Sequence, residues 1–166
     1  IGKSHRGYFR NHRPDDLLAT TLTAALAAVP GLDPKAIEDI ICGCAIPEAQ
    51  QGLNVARIGA VLAGLPTSVG GITVNRFCAS GLSAVQMAAD RIRVGAAEVM
   101  IAAGVESLSM VPMMGNAPSL SPSIFGRDGH VGIASGPGLH RTSVRWGKGV
   151  VLGGRRLLTK NTKHQP

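Results

Sequence analysis

Residues 72–104 switch chain period twice within a short span. Ile72-Thr73-Val74 is a β-branched run. It is followed by Asn75-Arg76-Phe77-Cys78 and by the small residues Ala79-Ser80-Gly81. A helix is then predicted from Ser83 to about Val94, with Leu82, Val85, Ala89 and Ile92 at helical spacing. Gly95 punctuates, and Val99-Met100-Ile101-Ala102-Ala103-Gly104 reads as a buried strand. The pattern is strand, cysteine, helix, strand: a βαβ unit, for which a right-handed crossover is expected. It places Cys78 at the carboxyl end of a strand and the amino end of a helix, where open α/β sheets bind ligands. The partial positive charge of a helix start favours thiolate over thiol. A lone cysteine between apolar elements is more often a small buried hydrophobe. Context favours the nucleophile here. Ala79, Ser80 and Gly81 leave space at the sulfur, and Gly81 frees the backbone for unusual dihedrals.

Other elements follow from local signals. Pro14-Asp15-Asp16 starts a helix with carboxylates at its positive end, and Leu17, Thr21, Ala24, Ala25 and Ala28 continue it to Pro30-Gly31. Asp33-Pro34 caps a short helix to about Glu38. Asp39 to Ala45 reads as a buried strand that sends Cys42 and Cys44 to one face. A metal pair would need further ligands at suitable spacing, and none is present, so packing is the better reading. Asn54 to about Ala63 is a predicted helix with Val55, Ile58 and Leu62 on one face, ended by Leu65-Pro66. Pro112, Pro118 and Pro122, interleaved with serines, predict an extended loop, expected to be mobile from Val111 to Ile124.

Charge divides the chain. The net charge of +7 belongs to residues 126–166, which hold eight Lys/Arg against Asp128, whereas residues 1–125 balance nine against nine. The three cysteines do not form a disulfide framework, which suits a reducing cytoplasm. No apolar run approaches the roughly 20 residues of a membrane helix, and no secretory signal pattern opens the sequence. In the basic tail, Arg155-Arg156 and Lys160 raise the question of nucleic acid. The single Trp146 and the absence of a binding motif weigh against it.

Four ordered segments carry a family resemblance. Val74-Asn75-Arg76-Phe77-Cys78-Ala79-Ser80-Gly81-Leu82 resembles the nucleophile motif of the thiolases, the 3-ketoacyl-CoA thiolase and acetyl-CoA acetyltransferase family. Gly104-Val105-Glu106-Ser107-Leu108-Ser109-Met110 resembles the segment after the family's next strand. Gly52-Leu53-Asn54-Val55-Ala56-Arg57 and Ala63-Gly64-Leu65-Pro66 are similar in order and approximate spacing. The resemblance implies an α/β fold: a thiolase-like amino-terminal domain with a mixed sheet layered between helices, incomplete at both ends. It runs from Ile1 to residue 134. Residues 135–166 depart from the family pattern and are expected to be disordered or out of frame, with Val150-Val151-Leu152 as their only strand candidate.

The resemblance also implies chemistry. In thiolases a cysteine thiolate attacks the keto carbonyl of a 3-ketoacyl-CoA, giving an acyl-enzyme and acetyl-CoA, and a second CoA removes the acyl group. By this resemblance Cys78 is the acyl-accepting nucleophile. The substrates are acyl-CoA and CoA; no cofactor is permanently bound and no metal is expected. The pathway is expected to be fatty-acid β-oxidation in the cytoplasm, with a homodimer or homotetramer as the assembly. The family's Gly-His-Pro motif and second cysteine are missing, and His5, His12, His130, His140 and His164 match none of its catalytic contexts. The chain alone is therefore expected to be inactive. Asn75 reads as a turn anchor, Arg76 as one half of a structural ion pair, and Glu106 and Ser107 as loop support. Met110, Met113 and Met114 suit either an acyl site or packing. Two alternatives stand beside the thiolase reading: a non-catalytic fragment that only dimerises, and a ketosynthase-like condensing enzyme.

Overall fold

A computed structural model of the chain describes residues 7–119, 121–125 and 151–154. Helix α1 spans Pro14–Ala27 and strand β1 Asp39–Gly43. Helix α2 (Val55–Leu62) precedes strand β2 (Gly70–Val74). Helix α3 (Ser80–Arg93) leads to strand β3 (Val99–Gly104). A short helix α4 (Pro122–Phe125) and strand β4 (Val151–Gly154) complete the described elements. The sheet order is β2-β1-β3-β4, with β1 parallel to both neighbours and β4 antiparallel to β3. The fold is thus α/β with a mixed sheet, as the sequence predicts. Strand β4 falls on the candidate at Val150–Leu152; the rest of 126–166 lies outside the described residues.

Strand alternation builds two cores. Ile40, Cys42 and Cys44 point with Ile101 and Ala103 toward α1 and α2, where Leu18, Leu22, Val55, Ala56 and Ala60 meet them. Ile41, Met100 and Ala102 point the other way, toward Ala84, Ala88 and Ile92 of α3. The result is three layers with β1 at the centre, buried on both faces as a parallel strand requires. Each fully buried Ile or Leu contributes about 1.5–3 kcal/mol of transfer free energy.

The helices use different faces from those the spacing suggests. In α1 the buried residues beyond the first turn's Pro14 and Asp15 are Leu18, Ala19 and Leu22, and Ala24 and Ala28 are exposed. Gly59 decides this register: a Cβ there would lie 2.5 Å from Leu18 Cδ2, so the leucine seats in a notch that only glycine leaves. In α2, Val55, Ala56, Gly59 and Ala60 are buried, whereas Leu62 is exposed. The segment after Asp33 is a single 3-10 turn, Pro34–Ala36, with Asp33 accepting from the Lys35 amide at 2.9 Å. Strand β1 ends at Gly43, two residues before the predicted end, because Ala45 donates its amide to a side chain rather than to a ladder partner.

The ends of the helices are set by recognisable devices. Pro14 sits at the first position of α1, and Asp15 and Asp16 face its positive end. Arg13 grips the buried Asp15 through two bonds of 3.1 and 2.7 Å, and this pairing raises the guanidinium further above its ordinary range. Helix α2 closes in a Schellman motif: Gly64 has φ +71°, its amide bonds to Val61 O, and the Leu65 amide bonds to Ala60 O. Helix α3 closes the same way through Gly95.

Candidate active site

The carboxyl ends of β1, β2 and β3 carry the site. Strand β2 ends at Val74 and α3 begins at Ser80, three residues earlier than predicted. Cys78 therefore lies two residues before the first helical residue, and its side chain is exposed. The connecting turn is tightly bonded. Asn75 Oδ1 accepts the Phe77 amide at 2.9 Å, an Asx turn, so Asn75 is the expected anchor. Ser80 Oγ accepts the Arg76 amide at 2.8 Å and donates to Phe77 O at 2.5 Å. The Ala79 amide bonds to Arg76 O. Phe77 takes the left-handed conformation at φ +48°, which costs a non-glycine residue roughly 1–2 kcal/mol. The unusual dihedral thus belongs to Phe77, whereas Gly81 is an ordinary residue of α3. What Gly81 supplies is space, since a Cβ there would meet nothing within 4 Å.

Gly43 seats this turn. A Cβ on Gly43 would lie 2.5 Å from both Gly81 N and the Ser80 carbonyl carbon. The amino end of α3 therefore rests directly on the backbone at the end of β1, and Gly104 brings β3 to the same point, with Gly81 Cα at 3.9 Å from its Cβ position. The sequence signal is a glycine between two buried cysteines in a strand, which marks a close backbone approach. The sequence reading passed over it.

The remaining predicted residues divide clearly. Cys42 and Cys44 are buried on one face, and burial pushes both thiols up to about 12, with Cys44 raising Cys42 and Glu106 raising Cys44 as lesser causes. They are core residues, unsuited to nucleophilic work at neutral pH. Glu106 and Ser107 are loop support, as expected: Glu106 Oε2 accepts the Ala45 amide at 2.6 Å, and the Ser107 amide donates to Gln51 Oε1 at 3.0 Å. Arg76 has no acidic partner among the described residues of this chain. Its backbone amide, bonded to Ser80, supports the turn instead. Met113 and Met114 are exposed. Val111 is fully buried, and the Asn116 amide bonds to Glu48 Oε1 at 2.7 Å, so the first part of the predicted mobile loop is anchored. His12 stacks on Tyr8 and forms no ion pair among the described residues. His5, His130, His140 and His164 lie outside the described residues.

No group of three or more metal-ligating side chains occurs among the described residues. A shallow, open depression is lined by Asp16, Ala19, Thr20 and Thr23 of α1 and Leu62 of α2, and none of the turn residues around Cys78 lines it. The site is an exposed thiol on a rigid platform, open to solvent within this part of the fold.

This arrangement can be set against known proteins. The chain matches the family described as "Thiolase, N-terminal domain" over residues 1–151. The chain belongs to the thiolase family. A 3-ketoacyl-CoA thiolase of Bacillus subtilis is 49% identical over 116 residues, covering 70% of this chain and 29% of that protein. A 3-ketoacyl-CoA thiolase of Vibrio cholerae is 42% identical over 138 residues, covering 81% and 36%. One from Colwellia psychrerythraea is 40% identical over the same length. The chain spans about a third of the length of these relatives. No helix among the described residues is long and apolar enough to cross a membrane.

Proposed function

We propose that the chain is the nucleophile-bearing part of a thiolase acting on 3-ketoacyl-CoA, with Cys78 as the acyl acceptor. One observation carries the assignment. Of three cysteines, only Cys78 is exposed, and it sits where a strand's carboxyl end meets a helix's amino end. The reaction is covalent catalysis. The thiolate of Cys78 adds to the keto carbonyl, the bond between the α and β carbons breaks, and the acyl group stays on sulfur. The departing two-carbon unit takes up a proton and leaves as acetyl-CoA. A second CoA thiolate then attacks the acyl-enzyme and frees Cys78. The relatives are named 3-ketoacyl-CoA thiolases, which supports the substrate, and the proposed setting is degradative, in fatty-acid β-oxidation. Acyl-CoA and CoA are the partners, with no metal or resident cofactor, a homo-oligomeric assembly and a cytoplasmic setting.

Proton transfer sets the limit on what this chain does alone. The sequence holds no Gly-His-Pro segment and no cysteine beyond Cys42, Cys44 and Cys78. A missing general base forfeits about 10²–10⁴-fold. The test is acetyl transfer. Incubated with acetyl-CoA, the chain should acquire an acetyl group at Cys78, located by peptide mass mapping, with release of CoA. Cys42 and Cys44 should stay unmodified, and thiolysis of acetoacetyl-CoA should not turn over. Acetylation that survives Cys78→Ala, or that spreads equally over the three cysteines, refutes the assignment. Turnover that Cys78→Ala abolishes refutes the inactivity of the chain but not the role of Cys78.

A further inference from the structure

Gln51 is fully buried in a 3-10 turn after β1, at 0% exposure, and its side chain spends every polar group on the strand exits. Its Nε2 donates to Ile46 O at 2.8 Å and to Glu106 Oε1, and its Oε1 accepts the Ser107 amide at 3.0 Å. Glu106 Oε2 closes the ring by accepting the Ala45 amide at 2.6 Å. This amide–carboxylate pair thereby ties residues 44–46, which leave β1, to residues 105–107, which leave β3. Those two strands end at Gly43 and Gly104, on which the amino turn of α3 rests. The Val105 amide bonds to Gly43 O at 3.0 Å and the Cys44 amide to Val74 O at 3.0 Å, so all three strand ends are joined just beneath the Cys78 turn.

We infer that Gln51 and Glu106 are positioning residues: their paired side chains hold the exits of β1 and β3 in the register that fixes the Cys78 turn. Neither residue needs to touch the sulfur. A packing role alone would be met by two apolar side chains, since a half-buried carboxylate and a fully buried amide are costly unless each lone pair and proton is used. Here every polar atom of the two side chains has a partner, on backbone groups of the two exits or on the other side chain. The donor–acceptor polarity is also specific. Glu106 must accept twice, and Gln51 must donate twice and accept once. The inference concerns where Cys78 is held, and it stands whether or not Cys78 carries an acyl group.

Hydrogen exchange on the full chain tests it. Glu106→Gln leaves one acceptor oxygen for two donors, the Gln51 amide and the Ala45 amide, and Gln51→Glu sets two carboxylates against each other. The double variant Gln51→Glu/Glu106→Gln restores the bond with its polarity reversed and turns the contact to Ile46 O into an acceptor facing an acceptor. Each single variant should speed exchange about tenfold in residues 76–83, a segment neither residue touches, as well as in 44–51 and 105–111. The middle of α1 should exchange at its original rate. The double variant should return 76–83 most of the way. Glu48→Gln is the control: it disturbs the neighbouring Asn116 contact and should leave 76–83 unchanged. Should Gln51→Glu not fold, the isosteric Glu106→Gln carries the test alone. Unchanged exchange in 76–83, equal acceleration of every segment including α1, acceleration by Glu48→Gln, or no recovery in the double variant would each overturn the inference.

Discussion

At the scale of single residues, Gly43 and the buried cysteines beside it govern the site more than their modest chemistry suggests. Gly43→Ala would place a methyl 2.5 Å from backbone atoms of Ser80 and Gly81, which cannot rotate away as a side chain could. The expected cost is about 1–3 kcal/mol, from the overpacking of a filled core. A urea titration should show it, together with altered exchange at the Cys78 turn. A variant as stable as the parent would mean that α3 does not rest on β1 there. Cys42 and Cys44 give a pH signature. Burial raises both to about 12, well above the ordinary thiol range, so the folded state holds these protons more tightly than the unfolded chain. Their stabilisation is complete below pH 9 and is lost as pH rises from there toward 12. Urea midpoints should therefore fall more steeply above pH 9 in the parent than in Cys42→Ala/Cys44→Ala; parallel curves would exclude the thiols as the cause. The position of Cys78 in a strand-to-helix turn, the Asn75 anchor and the core role of the cysteine pair were legible from the sequence, because residue type and local spacing determine them. Gly43, Gln51 and the conformation of Phe77 were not read in the same way. Their roles depend on which backbone comes to lie beside them, and that is settled only when β1 and β3 meet.

Among the elements, order and type follow from local signals, whereas the buried faces do not. Helix starts at Pro14 and Asn54 and stops before Leu65-Pro66 and at Gly95 rest on short-range chemistry, and the structure keeps them. Faces fail for a physical reason visible in α3. Spacing singles out Leu82, Val85, Ala89 and Ile92, yet only Ile92 of these is buried. The sheet takes the opposite, small-residue side, Ser80, Ser83, Ala84 and Ala88, because the close approach at Gly43 and Gly104 leaves no room for leucine. Helical periodicity finds an apolar stripe without saying what lies against it. The caps can be tested separately from packing. Gly64 has φ +71° and nothing within 4 Å of a Cβ position, so Gly64→Ala adds strain without a clash. It should cost about 1 kcal/mol through the left-handed backbone alone. A loss well above that in thermal or urea unfolding would show that the position also carries packing.

For the molecule as a whole, the two-sided character of α3 matters most. One side is satisfied by the sheet. The other carries Leu82 at 72% exposure, together with the partly exposed Val85 and half-buried Ala89 at positions that share a helical stripe. Beside it, Ile72 in the middle of β2 and Phe77 in the turn that follows are exposed, and β2 has a partner on only one side among the described residues. An apolar helix face next to a strand edge left unpaired among the described residues has the make-up expected of a contact surface. The isolated chain should therefore bind an apolar dye such as ANS and self-associate as its concentration rises. Leu82→Glu should weaken both, because a carboxylate on this stripe resists desolvation on contact. The same change should move the urea midpoint little, within about 0.5 kcal/mol, since Leu82 makes no part of either core. Sedimentation of parent and variant across a concentration series separates the outcomes. Equal association of the two would place the contact elsewhere. Association abolished together with a large stability loss would show that Leu82 supports the fold itself, and the stripe would then have to be reassigned from contact surface to core.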